Sequence, residues 1–173
     1  MKEENLIDPV GYFVFLDGCG LLKEADMCLS KSVSRQLKDG KEEGCFFNAS
    51  VLADKNLSYV EGFVLVGSFD KNIQFYEHAW NIMPYRNVVI DVTLSDLSLH
   101  RICEKGNFYI EVARYSEKDV MKNIYKTDGN TPFFMYFDDH KKKFDRAREA
   151  ISASFPQASY EGESCFCNKQ IKA

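Results

Sequence analysis

Three side chains have the types and the order needed to attack a carbonyl through a thiol: Cys45, His78 and Asp91. They stand in the phrases Gly44-Cys45-Phe46-Phe47-Asn48-Ala49, Tyr76-Glu77-His78-Ala79-Trp80 and Val88-Val89-Ile90-Asp91-Val92-Thr93. A cysteine attacks as its thiolate, and the unpaired N–H groups at a helix start favour that charge. The same N–H groups suit an oxyanion formed during acyl transfer. An imidazole beside the sulfur would hold the thiolate and then protonate the leaving group. A carboxylate on the other ring nitrogen would fix its tautomer and orientation. Taken singly, each residue has a plainer reading: a cysteine in an apolar helix is also a small buried hydrophobe. Asp91 is the least ordinary, because a carboxylate between Ile90 and Val92 in a strand must be paired if it points inward.

The elements around these residues must bring them together. Cys45 to Ala53 is uniformly apolar, which predicts a buried helix that Gly44 lets the chain enter sharply and Asp54-Lys55-Asn56 ends. Tyr59 to Phe69 is rich in Val and Phe and predicts a strand, with Gly62 a bulge or point of close approach. Asp70-Lys71-Asn72 turns the chain into a second strand, Ile73 to Met83, and Pro84 to Asn87 turns it into a third, Val88 to Leu94. On adjacent antiparallel strands opposed residues come within about 4.5–5.5 Å, the scale of a histidine and its orienting carboxylate. Trp80 shares the His78 face, whereas Glu77 points the other way.

Upstream, 9–16 reads as a short strand and Leu21 to Leu37 as a helix that Gly40 stops. Downstream, Asn107 to Ala113 is strand-like and Ser116-x-x-Asp119 opens a helix. Phe133 to Phe137 is a short apolar run, and a last helix capped by Asp138 or Asp139 runs to about Ser154 with Phe144, Ala147, Ile151 and Phe155 on one face. This organises the 173 residues as one domain: a strand and helix over 1–43, a catalytic-like core over 44–137, a C-terminal helix over 138–155 and a loose tail over 156–173.

Composition narrows the partners. A net charge of −4 gives no overall attraction to nucleic acid or to anionic membranes, so neither is expected. The basic run His140-Lys141-Lys142-Lys143 with Arg146 and Arg148 reads as a solvated helix face. The charged start Met1-Lys2-Glu3-Glu4 is not a secretory signal, and no apolar run is long enough to span a bilayer. The six cysteines, Cys19, Cys28, Cys45, Cys103, Cys165 and Cys167, then read as thiols in a reducing cytoplasm. Cys165-x-Cys167 with His140 falls outside zinc-site spacing, so no metal and no cofactor are expected. Oligomeric state is open.

The three phrases resemble the transglutaminase-like branch of the papain-like cysteine enzymes, where a cysteine at a helix start precedes a His-Ala-Trp strand and an Asp-Pro/Ala-Thr strand end; Asp91-Val92-Thr93 departs from that pattern at its middle position. The match is nearer to a group of small uncharacterised bacterial and phage proteins. Their pattern is present here as Cys45-x-x-Asn48-Ala49, Tyr59-Val60-Glu61-Gly62, His78-Ala79-Trp80 and Val89-Ile90-Asp91-Val92-Thr93, spanning roughly 44–126. The resemblance implies an α+β fold in which a central helix carrying the cysteine packs on an antiparallel sheet carrying the histidine and aspartate. It implies a triad of Cys45 as nucleophile, His78 as general acid/base and Asp91 as orienter; Asn48, Glu61, Trp80 and Thr93 are candidate supporting residues, with capping or packing as their plainer reading. Peptide or isopeptide hydrolysis, deamidation and amine transfer share the first half-reaction, with a protein or peptide as substrate. The alternative is a non-catalytic protein-binding module, or an effector or antagonist that keeps the fold.

Overall fold

The computed structural model describes residues 23–24, 44–54, 56–67, 73–83, 85–86, 88–93, 108–124, 126 and 131–160. Its centre is a long antiparallel pair, β2 (Ser58–Gly67) and β3 (Ile73–Met83), in register from Ser58 opposite Ile82 to Gly67 opposite Ile73. Both faces of this pair are buried, so its strands carry apolar residues at odd and even positions alike; that is why their alternation in the sequence is weak. β1 (Lys23–Glu24), β4 (Val88–Ile90), β5 (Phe108–Tyr115) and β6 (Ser159–Tyr160) complete a mixed sheet in the order β1-β5-β2-β3-β4. The short β6 lies parallel to β3, Gln74 opposite Ser159 and Phe75 opposite Tyr160. The architecture is α+β, as expected.

One face is covered by helices. α1 (Cys45–Val51) contributes Cys45, Phe46 and Ala49 to a core with Tyr59, Phe63, Leu65, Phe75 and Ala79. α2 (Glu117–Asn123) starts at a capping box, Ser116 accepting from the Asp119 N–H while the Asp119 carboxylate receives the Ser116 N–H. A 3₁₀ turn (Phe133–Tyr136) leads into α3 (Asp138–Ser154), which buries Phe144, Ala147 and Ile151 from one face. Phe134 and Phe144 stack at 3.8 Å and 14°, and burying each ring is worth about 2–3 kcal/mol. The reverse face carries a second cluster: Val60, Val64, Tyr76, Trp80, Ile82, Val89 and Tyr109. Among the described residues no helix is long and apolar enough to cross a membrane.

Four local expectations need correction. Lys23 and Glu24, inside the expected helix 21–37, form a strand opposite Tyr109 and Phe108; sheet pairing overrides the helical spacing there, and the rest of that helix lies outside the described residues. β4 ends at Ile90 instead of Leu94, because the Asp91 carboxylate accepts the Thr93 N–H at 3.0 Å and turns the chain. α3 starts from Phe137 with no side-chain cap, so neither Asp138 nor Asp139 fills that role, although both sit in its positive first turn. The tail is held as far as Tyr160 by β6. The 9–16 strand and the 70–72 turn lie outside the described residues.

Gly62 is the point of closest approach in the sheet. The β2–β5 register slips between Glu61, opposite Ala113, and Gly62, opposite Glu111, leaving Val112 as the extra residue of a bulge. A Cβ on Gly62 would lie 1.9 Å from the Ile110 carbonyl oxygen and 2.9 Å from the tip of the Trp80 ring. The backbone atom cannot move aside without breaking the ladder. Gly62→Ala is therefore expected to lower stability by about 2 kcal/mol or more, read as a lower urea midpoint with an unchanged m-value.

Candidate functional site

His78 and Asp91 form the best-defined polar pair in the structure. His78 Nε2 lies 2.6 Å from Asp91 Oδ2, and the two side chains are 1% and 0% exposed. Asp91 sits just beyond β4. It follows Ile90, whose pairing with Asn81 brings the Asp91 carboxylate within reach of His78. The carboxylate receives two further donors: the Tyr109 hydroxyl reaches Oδ2 at 2.7 Å and the Thr93 N–H reaches Oδ1. The carboxylate thus has hydrogen-bond partners on both of its oxygens. Trp80 stacks near the imidazole at 6.3 Å and 21°, and Tyr109 crosses Trp80 at 5.1 Å and 65°. These rings keep water from the pair.

Strand alternation decides how Cys45 stands to this pair. Ala79 belongs to the same core as Cys45, and Asn81 donates from β3 to the Ala49 carbonyl of α1 at 2.9 Å, so odd positions of β3 face the helix. His78, with Tyr76, Trp80 and Ile82, faces the other way. Among the described residues this edge of β3 is interrupted, and the two faces communicate there. β4 pairs with residues 81–83 of β3 and β6 with 74–75, and neither pairs with 76–80. There Asn48 of α1 donates to Thr93 Oγ1 at 3.1 Å, and the Thr93 N–H holds Asp91. A hydrogen-bonded chain thus runs Asn48–Thr93–Asp91–His78 around the edge of the sheet.

Cys45 opens α1 as expected and is 0% exposed. Gly44 before it has φ −63° and ψ 162°, extended backbone that any residue adopts, so the sharp entry attributed to glycine is not what the position requires. The helix has seven residues, under two turns, so its macrodipole is short. Asn48 and Thr93 join Cys45's helix to the dyad, and Trp80 covers it.

Glu61 does not join that cluster. It points to the helix-covered face, 0% exposed, and gathers four donors: Tyr59 Oη at 2.6 Å, Tyr115 Oη at 3.2 Å, and the N–H groups of Phe133 at 2.5 Å and Phe134 at 2.9 Å. It pins the 3₁₀ turn to the sheet. Tyr115 in turn lies 2.9 Å from His140 Nδ1 on α3. Burial pushes the Glu61 carboxyl up to about 7 against the opposing pull of its donors, and burial with the neighbouring Glu61 raises Tyr59 and Tyr115 well above the usual phenol range. His140 is held below the ordinary imidazole value by burial and by Lys143.

Tyr109 is the member that sequence reasoning missed. It stands in an ordinary strand phrase two strands from His78, and the β5-β2-β3 order brings its hydroxyl to Asp91. Elsewhere, Lys141, Lys142, Lys143 and Arg146 are exposed on α3, while Arg148 pairs with Asp145 at 2.7 Å and covers the Tyr160 ring. Among the described residues no group of three or more His, Cys, Asp or Glu is placed to hold a metal ion; Cys165 and Cys167 lie outside them. No family model matches the chain, and neither the curated proteins nor the solved structures give a match.

The raised Glu61 carboxyl has a consequence for stability. Between its unfolded value near 4.5 and about 7 the folded protein keeps a proton that the unfolded chain releases. Glu61's contribution is thus complete below the lower value and is lost as pH rises through the upper one, on the order of 3 kcal/mol in all. Urea midpoints measured from pH 4.5 to 8 are expected to fall across this window, and the slope should flatten in Glu61→Gln, which cannot ionise.

Proposed function

We propose that the protein is a cysteine-dependent acyl-transfer enzyme acting on protein or peptide carbonyls. The observation that carries this reading is the buried His78–Asp91 pair, tied through Thr93 and Asn48 to the helix that Cys45 opens. A histidine whose Nε2 donates to a carboxylate presents Nδ1 as its basic atom. Cys45 and His78 lie on opposite faces of β3, so the proposed reaction requires them to meet at the edge of the sheet as substrate binds; Cys45 then gives its proton to Nδ1 and its sulfur bonds to the substrate carbonyl carbon. The tetrahedral intermediate collapses as the imidazolium returns the proton to the leaving amine, and the acyl group remains on sulfur. Water then yields hydrolysis or deamidation, and an amine yields transfer. In this reading the α+β core is transglutaminase-like and the chain works in the reducing cytoplasm, where a thiol nucleophile persists.

Complete burial of Cys45 favours a second reading, a non-catalytic protein-binding module that keeps the fold. Under the first reading substrate must gain access to the sulfur as it binds. Iodoacetamide labelling with site-resolved mass spectrometry separates the two. Acyl transfer predicts that Cys45 is labelled fastest of the six cysteines at pH 6, and that His78→Ala slows it by at least about ten-fold. The binding module predicts that Cys45 is labelled last and is indifferent to His78; that result would retire the enzymatic reading.

A further inference from the structure

Asp91 Oδ2 serves two donors at once, and the second is not a member of the triad. Tyr109 Oη lies 2.7 Å from this oxygen and His78 Nε2 2.6 Å from it, while Oδ1 is occupied by the Thr93 N–H. With only the Thr93 contact and the imidazole, a carboxylate can rotate about its Cβ–Cγ bond and exchange its oxygens. A third donor, fixed on a strand on the far side of β2, removes that freedom. The reach is a property of the fold: Tyr109 pairs with Val64 on β2, and the β5-β2-β3 order sets its ring 6.2 Å from the imidazole on the face that carries His78.

We propose that Tyr109 is a positioning residue that locks Asp91 and thereby holds His78 in its Nε2–H tautomer. Its link to catalysis rests on the acyl-transfer reading; the tautomer lock itself does not. The other charged or titratable groups around the imidazole are already engaged. Tyr76 on the same face donates to Gln74 at 2.8 Å, Glu111 of β5 is paired with Arg114 at 2.6 Å, and Glu77 points to the opposite face, where it receives the Tyr160 hydroxyl at 2.9 Å. Tyr109, by contrast, donates directly to Asp91.

Histidine-selective ¹⁵N labelling tests this directly, since the chain has three histidines, His78, His100 and His140, and His100→Gln and His140→Gln assign the signals. The expected wild-type spectrum shows His78 protonated on Nε2 with slow proton exchange. Tyr109→Phe, which keeps the ring packing, is expected to speed that exchange by roughly ten-fold or more and to admit the Nδ1–H tautomer. Tyr76→Phe should change neither. An unchanged His78 signal in Tyr109→Phe would overturn the proposal. If that variant does not fold, the wild-type protein still decides: the Tyr109 hydroxyl proton and the His78 Nε2 proton converge on one oxygen and should show a mutual Overhauser effect, whose absence overturns it equally. These signals are expected to persist in Cys45→Ala, so failure of the lock and failure of the acyl-transfer reading are read separately.

Discussion

The Asp91 carboxylate is the constraint on which the reverse face of the sheet depends. A charge with no exposed surface must be surrounded by donors, because an unpaired buried carboxylate costs far more than any single contact returns. The chain meets that demand from three separate places: the imidazole of β3, the hydroxyl of β5 and a backbone N–H two residues further along. Each donor fixes something else. The Thr93 N–H ends β4, the Tyr109 hydroxyl ties β5 to Asp91 across β2, and His78 is fixed against the carboxylate. Trp80 and Tyr109 then close over the pair and exclude water, which strengthens its hydrogen bonds further.

Glu61 repeats the arrangement on the opposite face with a different outcome. It too is buried and accepts four donors, yet its neighbours are phenols and backbone amides, and nothing cationic touches it. Desolvation therefore dominates and the carboxyl rises toward neutrality. Asp91, by contrast, has an imidazole that can become cationic. Glu61's role follows from its partners: it fastens the turn at 133–136, and hence the start of α3, to β2. Two buried acids on one sheet thus do different jobs, set by what stands around them.

Much of this was legible before any coordinates. The α1 start at Cys45, the two long strands and the short turn before Val88 follow from apolar runs and turn residues, and together they bring His78 beside Asp91. Asp91 signalled itself by its type, since a carboxylate in an apolar strand requires a partner. The helix expected over 21–37 shows the limit: its spacing was helical, yet Lys23 and Glu24 pair with β5, because a long-range ladder outweighs a modest local preference. Tyr109 gave no signal, since nothing local distinguishes it from other strand tyrosines.

What the sequence by itself determined is therefore the set of reactive groups, the local elements that carry them, and the closeness of His78 to Asp91, since one short turn and a two-residue side-chain period decide that contact. Only the tertiary structure decided that Cys45 and His78 are offered from opposite faces and joined around an interrupted edge, that Tyr109 completes the carboxylate's shell, and that Glu61 belongs to a separate node. The physical reason is distance along the chain. Alternation and turns are fixed by neighbours a few residues away, whereas strand order, the bulge at Gly62 and the choice of covered face arise from pairings dozens of residues apart.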